Sequence, residues 1–134
     1  MTDIELIHSF ESDIRAAGRN FHHSDHVRLA FAYLNTCPVL EALQKFSDAL
    51  RRFAEARGKT RLYHETITCA YFFLIHERMA RAETTNWEEF AASNPDLLIW
   101  RGGILTQYYA GATLNSELAR TVFVLPDKSL KPLT

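Results

Sequence analysis

The sequence predicts an all-α fold: a compact bundle of four main helices, then short C-terminal helices and an extended tail. Three observations carry this. Apolar residues recur at helical spacing as far as Arg81. No strand-like alternation lasts long enough to build a sheet. Glycine (5) and proline (4) are scarce, so few places break the chain.

The first helix is expected from Asp3 to Ala17, on the apolar series Ile4, Ile7, Phe10, Ile14 and Ala17, with Gly18 as its terminator. The second is expected to start at Ser24, a good N-cap, with Asp25 in its first turn. Val27, Ala30, Phe31 and Leu34 form its apolar stripe, and Pro38 closes it. The third spans Val39 to Arg57 with the cleanest amphipathic pattern in the chain and Gly58 as its C-cap. The fourth spans Tyr63 to Arg81. It is apolar almost all round as far as Glu77, the signature of a central helix. Asn86 with Glu89 three residues on forms a capping pair for a short fifth helix that ends near Pro95. Short helical pieces follow at 96–100 and 103–109, and "NSELAR" forms one more turn. The tail "TVFVLPDKSLKPLT" reads as extended, pinned to the helical body by Phe123 and Leu125.

The totals fit one globular domain, residues 1–134. Apolar residues make up 47% and charged residues 23%, an ordinary balance for a packed domain. Fifteen basic side chains against sixteen acidic ones argue against a nucleic-acid partner, which needs a basic surface. Cys37 and Cys69 lack CxxC spacing and read as buried, reduced thiols, with metal ligation a minor option for Cys69. The N-terminal "MTDIELIHSFESDIR" has neither the basic nor the apolar region of a signal peptide. The longest uncharged stretch, "TITCAYFFLI", is about half a membrane span. The expectation is a cytoplasmic protein with no membrane partner.

Chemistry concentrates in two segments. "FHHSDH" places His22, His23 and His26 around the start of the second helix, and "YHETIT" places His64 and Glu65 at the start of the fourth. On a helical wheel His26 falls within the arc of Val27, Ala30 and Leu34. His64 falls near the centre of the face formed by Thr68, Phe72 and Ile75, with Glu65 at its edge. If the two helix starts are neighbours, His22 or His23, His26, His64 and Glu65 converge. Imidazoles with one carboxylate suit a divalent metal ion (Fe, Zn or Mn, or Cu with more imidazole). Asp25 and Thr68 would orient the ligand rings.

The surrounding pocket is assigned to Tyr63, Thr68, Tyr71 and Arg28, although the wheel turns Arg28 away from the apolar arc. The leading expectation is a metal-dependent enzyme acting on a small molecule. In it His64 and Glu65 are catalytic, and a metal-bound water or an open coordination position does the work. Two alternatives stand beside it. One is a non-catalytic domain that binds a small ligand or metal or docks a partner. The other is a metal-free site in which His64 beside Glu65, or His26 beside Asp25, acts as an acid–base pair. The bland possibility is that the histidines only satisfy core hydrogen bonds.

Other signals fail. "GKT" lacks the glycine and preceding strand of a phosphate-binding loop, and "HE" lacks the second histidine of a zinc-protease helix. No Gly-x-Ser-x-Gly elbow exists. The basic run "RRFAEARGKTR" reads as the solvated face and C-terminus of the third helix.

The stretches "FHHSDHVRLA", "YHETIT" and "ARTVFVLPD" resemble a group of small bacterial helical proteins of uncharacterised activity. The resemblance runs over most of the chain and implies a stand-alone domain of this size. It assigns no role to any residue.

Overall fold

A computed structural model describes residues 2–12 and 21–128. Among them are α1 (Asp3–Ser12), α2 (His23–Thr36), α3 (Val39–Ala56), α4 (Glu65–Ala82), α5 (Trp87–Ser93), α6 (Gly111–Leu114) and α7 (Glu117–Thr121). Short 3-10 turns occupy Thr60–Leu62, Pro95–Leu98 and Ile104–Gln107. No strand occurs among the described residues, so the all-α expectation holds. No described helix is long and apolar enough to cross a membrane. The second half of the expected first helix, with its Gly18 terminator, lies outside the described residues.

Helix α2 is the centre of the bundle and packs against α1, α3 and α4. Its residues Leu29, Ala30, Phe31, Ala32 and Tyr33 are all buried, so every side of the helix is covered. Phe31 lies 5.4 Å from Trp87 and 5.0 Å from Phe90, ring centre to ring centre. Fully burying a side chain of that kind is worth about 1.5–3 kcal/mol. The expectation that the fourth helix is central needs correction. Only part of the α4 circumference faces the core, and Phe73 is 40% exposed. The surplus apolar side chains Ala70, Phe73 and Leu74 line a surface groove with Tyr108, Phe123 and Pro126.

Helix ends follow local hydrogen-bonding capacity. The N-cap of α2 is His22, not Ser24, because the Asp25 carboxylate accepts from the His22 backbone N–H at 2.8 Å. This is the capping arrangement shifted two residues toward the N-terminus. After α3, Arg57 is the C-cap and Gly58 takes φ +67°, the left-handed position that favours glycine. Helix α4 starts at Glu65 rather than Tyr63, because the 3-10 turn Thr60–Leu62 occupies the chain before it. Asn86 caps α5 as expected and accepts from the Glu89 N–H at 2.9 Å. The reciprocal bond is diverted. Glu89 accepts from the Thr84 hydroxyl, and Thr84 Oγ1 accepts from the Asn86 N–H.

The tail is held through its backbone. Thr66, fully buried in the first turn of α4, donates its hydroxyl to the Val122 carbonyl at 2.8 Å. The same oxygen accepts from the Val124 N–H at 3.0 Å. Tyr109 donates to the Val124 carbonyl at 2.7 Å. Asp127 accepts from the Ala110 N–H at 2.9 Å and from the Thr113 hydroxyl, which holds its carboxyl below the usual range. Of the two expected pins, Leu125 is corrected, at 72% exposed, whereas Phe123, at 38%, lines the groove beside Ala70, Phe73 and Leu74. Thr66→Val keeps the side-chain shape and removes the hydroxyl. The expected cost is about 1–2 kcal/mol in urea unfolding, with loss of hydrogen-exchange protection at the Val124 N–H. Unchanged protection would show that the threonine does not hold the tail.

Candidate functional site

The starts of α2 and α4 meet at one cavity of about 730 Å³. His22, His23, His26 and His64 all line it, together with Tyr63, Thr68 and Tyr71. The two histidine segments are thus neighbours, as the site hypothesis requires. Val27, Phe46, Leu50, Phe53, Ile67 and Ile75 supply apolar wall. Leu62 (54% exposed) and Trp100 (55% exposed) also line the cavity and leave apolar surface open to solvent.

Each histidine has a different environment. His26 packs its ring 4.6 Å from Phe21 and 6.3 Å from Phe53. Burial pushes its pKa down to about 4, with His23 adding to the drop and Asp25 opposing it. It is therefore neutral at pH 7, and no hydrogen bond of its ring occurs among the described residues. His23 donates from Nε2 to the Leu97 carbonyl at 2.9 Å, which leaves Nδ1 of the neutral ring as an acceptor. Burial lowers its pKa too, with the Leu97 bond opposing. Its ring meets Tyr71 edge-on at 4.7 Å and Trp100 at 5.3 Å.

The Leu97 carbonyl is itself positioned. Asp96, the preceding residue, holds a two-pronged pair with Arg78 of α4 at 2.7 and 2.8 Å. Arg78 also donates to buried Asn94 at 3.0 Å. His22 is exposed at the rim.

His64 departs most from its expected role. It is not inside α4, so its wheel position does not apply. It is the N-cap, with extended backbone at φ −131° and ψ 111°. Its Nδ1 accepts from the Ile67 N–H at 3.0 Å, and its Nε2 donates to the Leu114 carbonyl at 2.7 Å. Both ring nitrogens are engaged, and the ring ties α4 to α6.

Glu65 does not line the cavity. Its carboxylate accepts from the Tyr63 hydroxyl at 2.8 Å and from Arg51 at 3.1 Å, and the Cys69 thiol approaches at 3.6 Å. Arg51 also stacks over the Tyr63 ring at 4.6 Å. Burial, with Glu65 beside it, pushes the Cys69 thiol up to about 11, so it is no ready thiolate. Cys37 is half-buried, with Lys45 3.6 Å from its sulfur.

Arg28 is on the far side of α2. It pairs with Asp3 at 2.6 Å and lies over Trp87 at 5.4 Å, so it joins α1 to the bundle rather than lining the cavity. No group of three His, Cys, Asp or Glu spaced to hold an ion occurs among the described residues. His64 has no lone pair to spare, and Glu65 is tied to Tyr63 and Arg51.

Sequence reasoning did not place several residues at the cavity. Arg57, Lys59 and Arg61 are exposed, as the solvated reading expects, and also line the cavity with Trp100. Gly103 supports the wall from behind. A β-carbon there would sit 2.7 Å from the Tyr71 hydroxyl and 2.9 Å from each of the Ile99 and Trp100 carbonyls. The only available signal was the "RGG" turn, which carries no chemistry.

No family model, curated protein or solved structure matches the chain.

Proposed function

We propose that the protein binds a small, largely apolar molecule between the starts of α2 and α4. His26 would receive that molecule's hydrogen bond or proton. The observation that carries this is the cavity of about 730 Å³, in which apolar wall surrounds neutral imidazoles. Ligand pockets are commonly of this size, mostly apolar, with few polar groups. A neutral imidazole whose ring makes no hydrogen bond among the described residues is a ready acceptor for a hydroxyl or an acidic C–H.

A binding titration tests the reading. Trp100 is on the wall and the chain has 2 tryptophans, so its emission is a local probe in a Trp87→Phe background. Saturable binding of 2-naphthol or 2-naphthoate is expected, with a shift of the His26 ring nitrogens in NMR. The His26 ring-nitrogen shift should vanish in Leu50→Trp, which fills the cavity. Absence of binding by both compounds up to millimolar concentration would end the proposal.

A metal-dependent enzyme is the second reading. One observation favours it: His22, His23 and His26, from one turn of chain, line the same cavity. It rests on those imidazoles alone, for the reasons given for His64 and Glu65. Stoichiometric Zn, Fe, Mn or Cu in untagged protein, lost in His26→Ala, would support it. A metal-free wild type after anaerobic reconstitution would remove it.

A further inference from the structure

We infer that the cavity selects an amphipathic anion: an apolar or aromatic body carrying a carboxylate or similar acidic group. This rests on the binding reading above and names the class of ligand.

Charge around the cavity is one-sided. Arg57, Lys59 and Arg61 line it, and no aspartate or glutamate does so among the described residues. The nearby carboxylates are already committed. Asp25 takes the His22 N–H, Glu65 is held by Tyr63 and Arg51, and Glu117 pairs with Arg61 at 2.8 Å. That last pair offsets part of the Arg61 charge. Arg57 stacks over the Phe53 ring at 5.4 Å, so basic and aromatic surface adjoin within the cavity wall.

The positive ends of α2 and α4 add potential of the same sign. Protonated histidine would add more, but burial keeps His26 and His23 neutral, so the fixed charges come from the arginine and lysine side chains. The arrangement has an order. The apolar wall of Phe46, Leu50, Phe53 and Ile67 takes the body, and the 57–61 segment takes the acidic group. A cationic amphiphile would meet like charge from Lys59 and, among the described residues, no carboxylate on the wall.

The test compares three naphthalenes of similar size: 2-naphthoate (anion), 2-naphthol (neutral) and 2-naphthylmethylammonium (cation). Binding is followed by calorimetry at pH 7 in low and high salt. The expected order is naphthoate at least fivefold tighter than naphthol, with the ammonium compound weakest. Raising the salt should narrow the gap between naphthoate and naphthol. Lys59→Gln, on an exposed turn side chain, should weaken naphthoate severalfold and leave naphthol unchanged. Equal affinity for naphthol and naphthoate, or tighter binding of the ammonium compound, would overturn the anion assignment and leave the cavity a binding site. No binding by any of the three would overturn both.

Discussion

Acidification from pH 6.5 to pH 4 is expected to cost the protein on the order of 3 kcal/mol of stability through His26 alone. The folded state holds this imidazole at about 4 against an ordinary 6.5. Between those values the unfolded chain carries a proton at His26 and the folded chain does not. Stability therefore rises with pH through this window. It is complete above about 6.5 and is lost progressively as pH falls toward 4. His23, lowered for the same reason, acts in the same direction.

The carboxylates that the fold holds below their ordinary range, Asp96, Glu117 and Asp127, contribute stability at neutral pH and lose it only at lower pH than His26 does. His26→Phe separates the effects. A phenyl ring suits the place between Phe21 and Phe53 and cannot titrate. The variant should show a much flatter urea midpoint between pH 7 and pH 4.5. An identical slope in wild type and variant would mean that His26 is not buried in its neutral form.

Gly103→Ala is expected to destabilise by about 3 kcal/mol and to weaken ligand binding at least fivefold. A β-carbon at this buried position meets two backbone carbonyls and the Tyr71 hydroxyl, all inside 3.0 Å. A hydroxyl at the end of a side chain can retreat, but the Ile99 and Trp100 carbonyls move only with the chain. Both responses displace the Tyr71 and Trp100 rings, which are 6.4 Å apart and flank His23. Gly111→Ala is the control, since nothing lies within 4 Å of a β-carbon there. The check is urea unfolding with Trp100 emission and a naphthoate titration on both variants. Equal behaviour of the two would remove Gly103 from the cavity wall.

Much of the bundle was legible because its signals are local. Apolar spacing located the four main helices, and Pro38 and Asn86 marked boundaries that the structure keeps. The two histidine segments were legible as helix starts for the same reason; that the two starts are neighbours was only a condition, which the structure meets. What each histidine does was not. Placing His64 on a wheel assumed that it is helical, but the turn Thr60–Leu62 holds it outside the helix as a cap. Its partner, the Leu114 carbonyl, is 50 residues away and carries no sequence mark.

Glu65 looked available beside His64 because adjacency in sequence says nothing about direction. Tyr63 and Arg51 turn its carboxylate aside. Residues 57–61 are solvated, as a basic run after an amphipathic helix usually is, but their place beside the cavity was not legible. Only the packing of α3 against α4 brings them to the cavity. Trp100 and Gly103 gain their roles entirely from tertiary placement.

The grip of His64 and Thr66 on the C-terminal third bears on the order of events during synthesis. The first turn of α4 emerges from the ribosome long before its partners, which follow 50 residues after His64 and 56 and 58 residues after Thr66. Until Leu114, Val122 and Val124 have been made, the threonine hydroxyl and the histidine Nε2 bond to water in place of their folded-state partners, and the start of α4 is not yet tied to the C-terminal third. The nascent chain therefore holds both histidine segments before the bonds that fix the start of α4 to the C-terminal third can form.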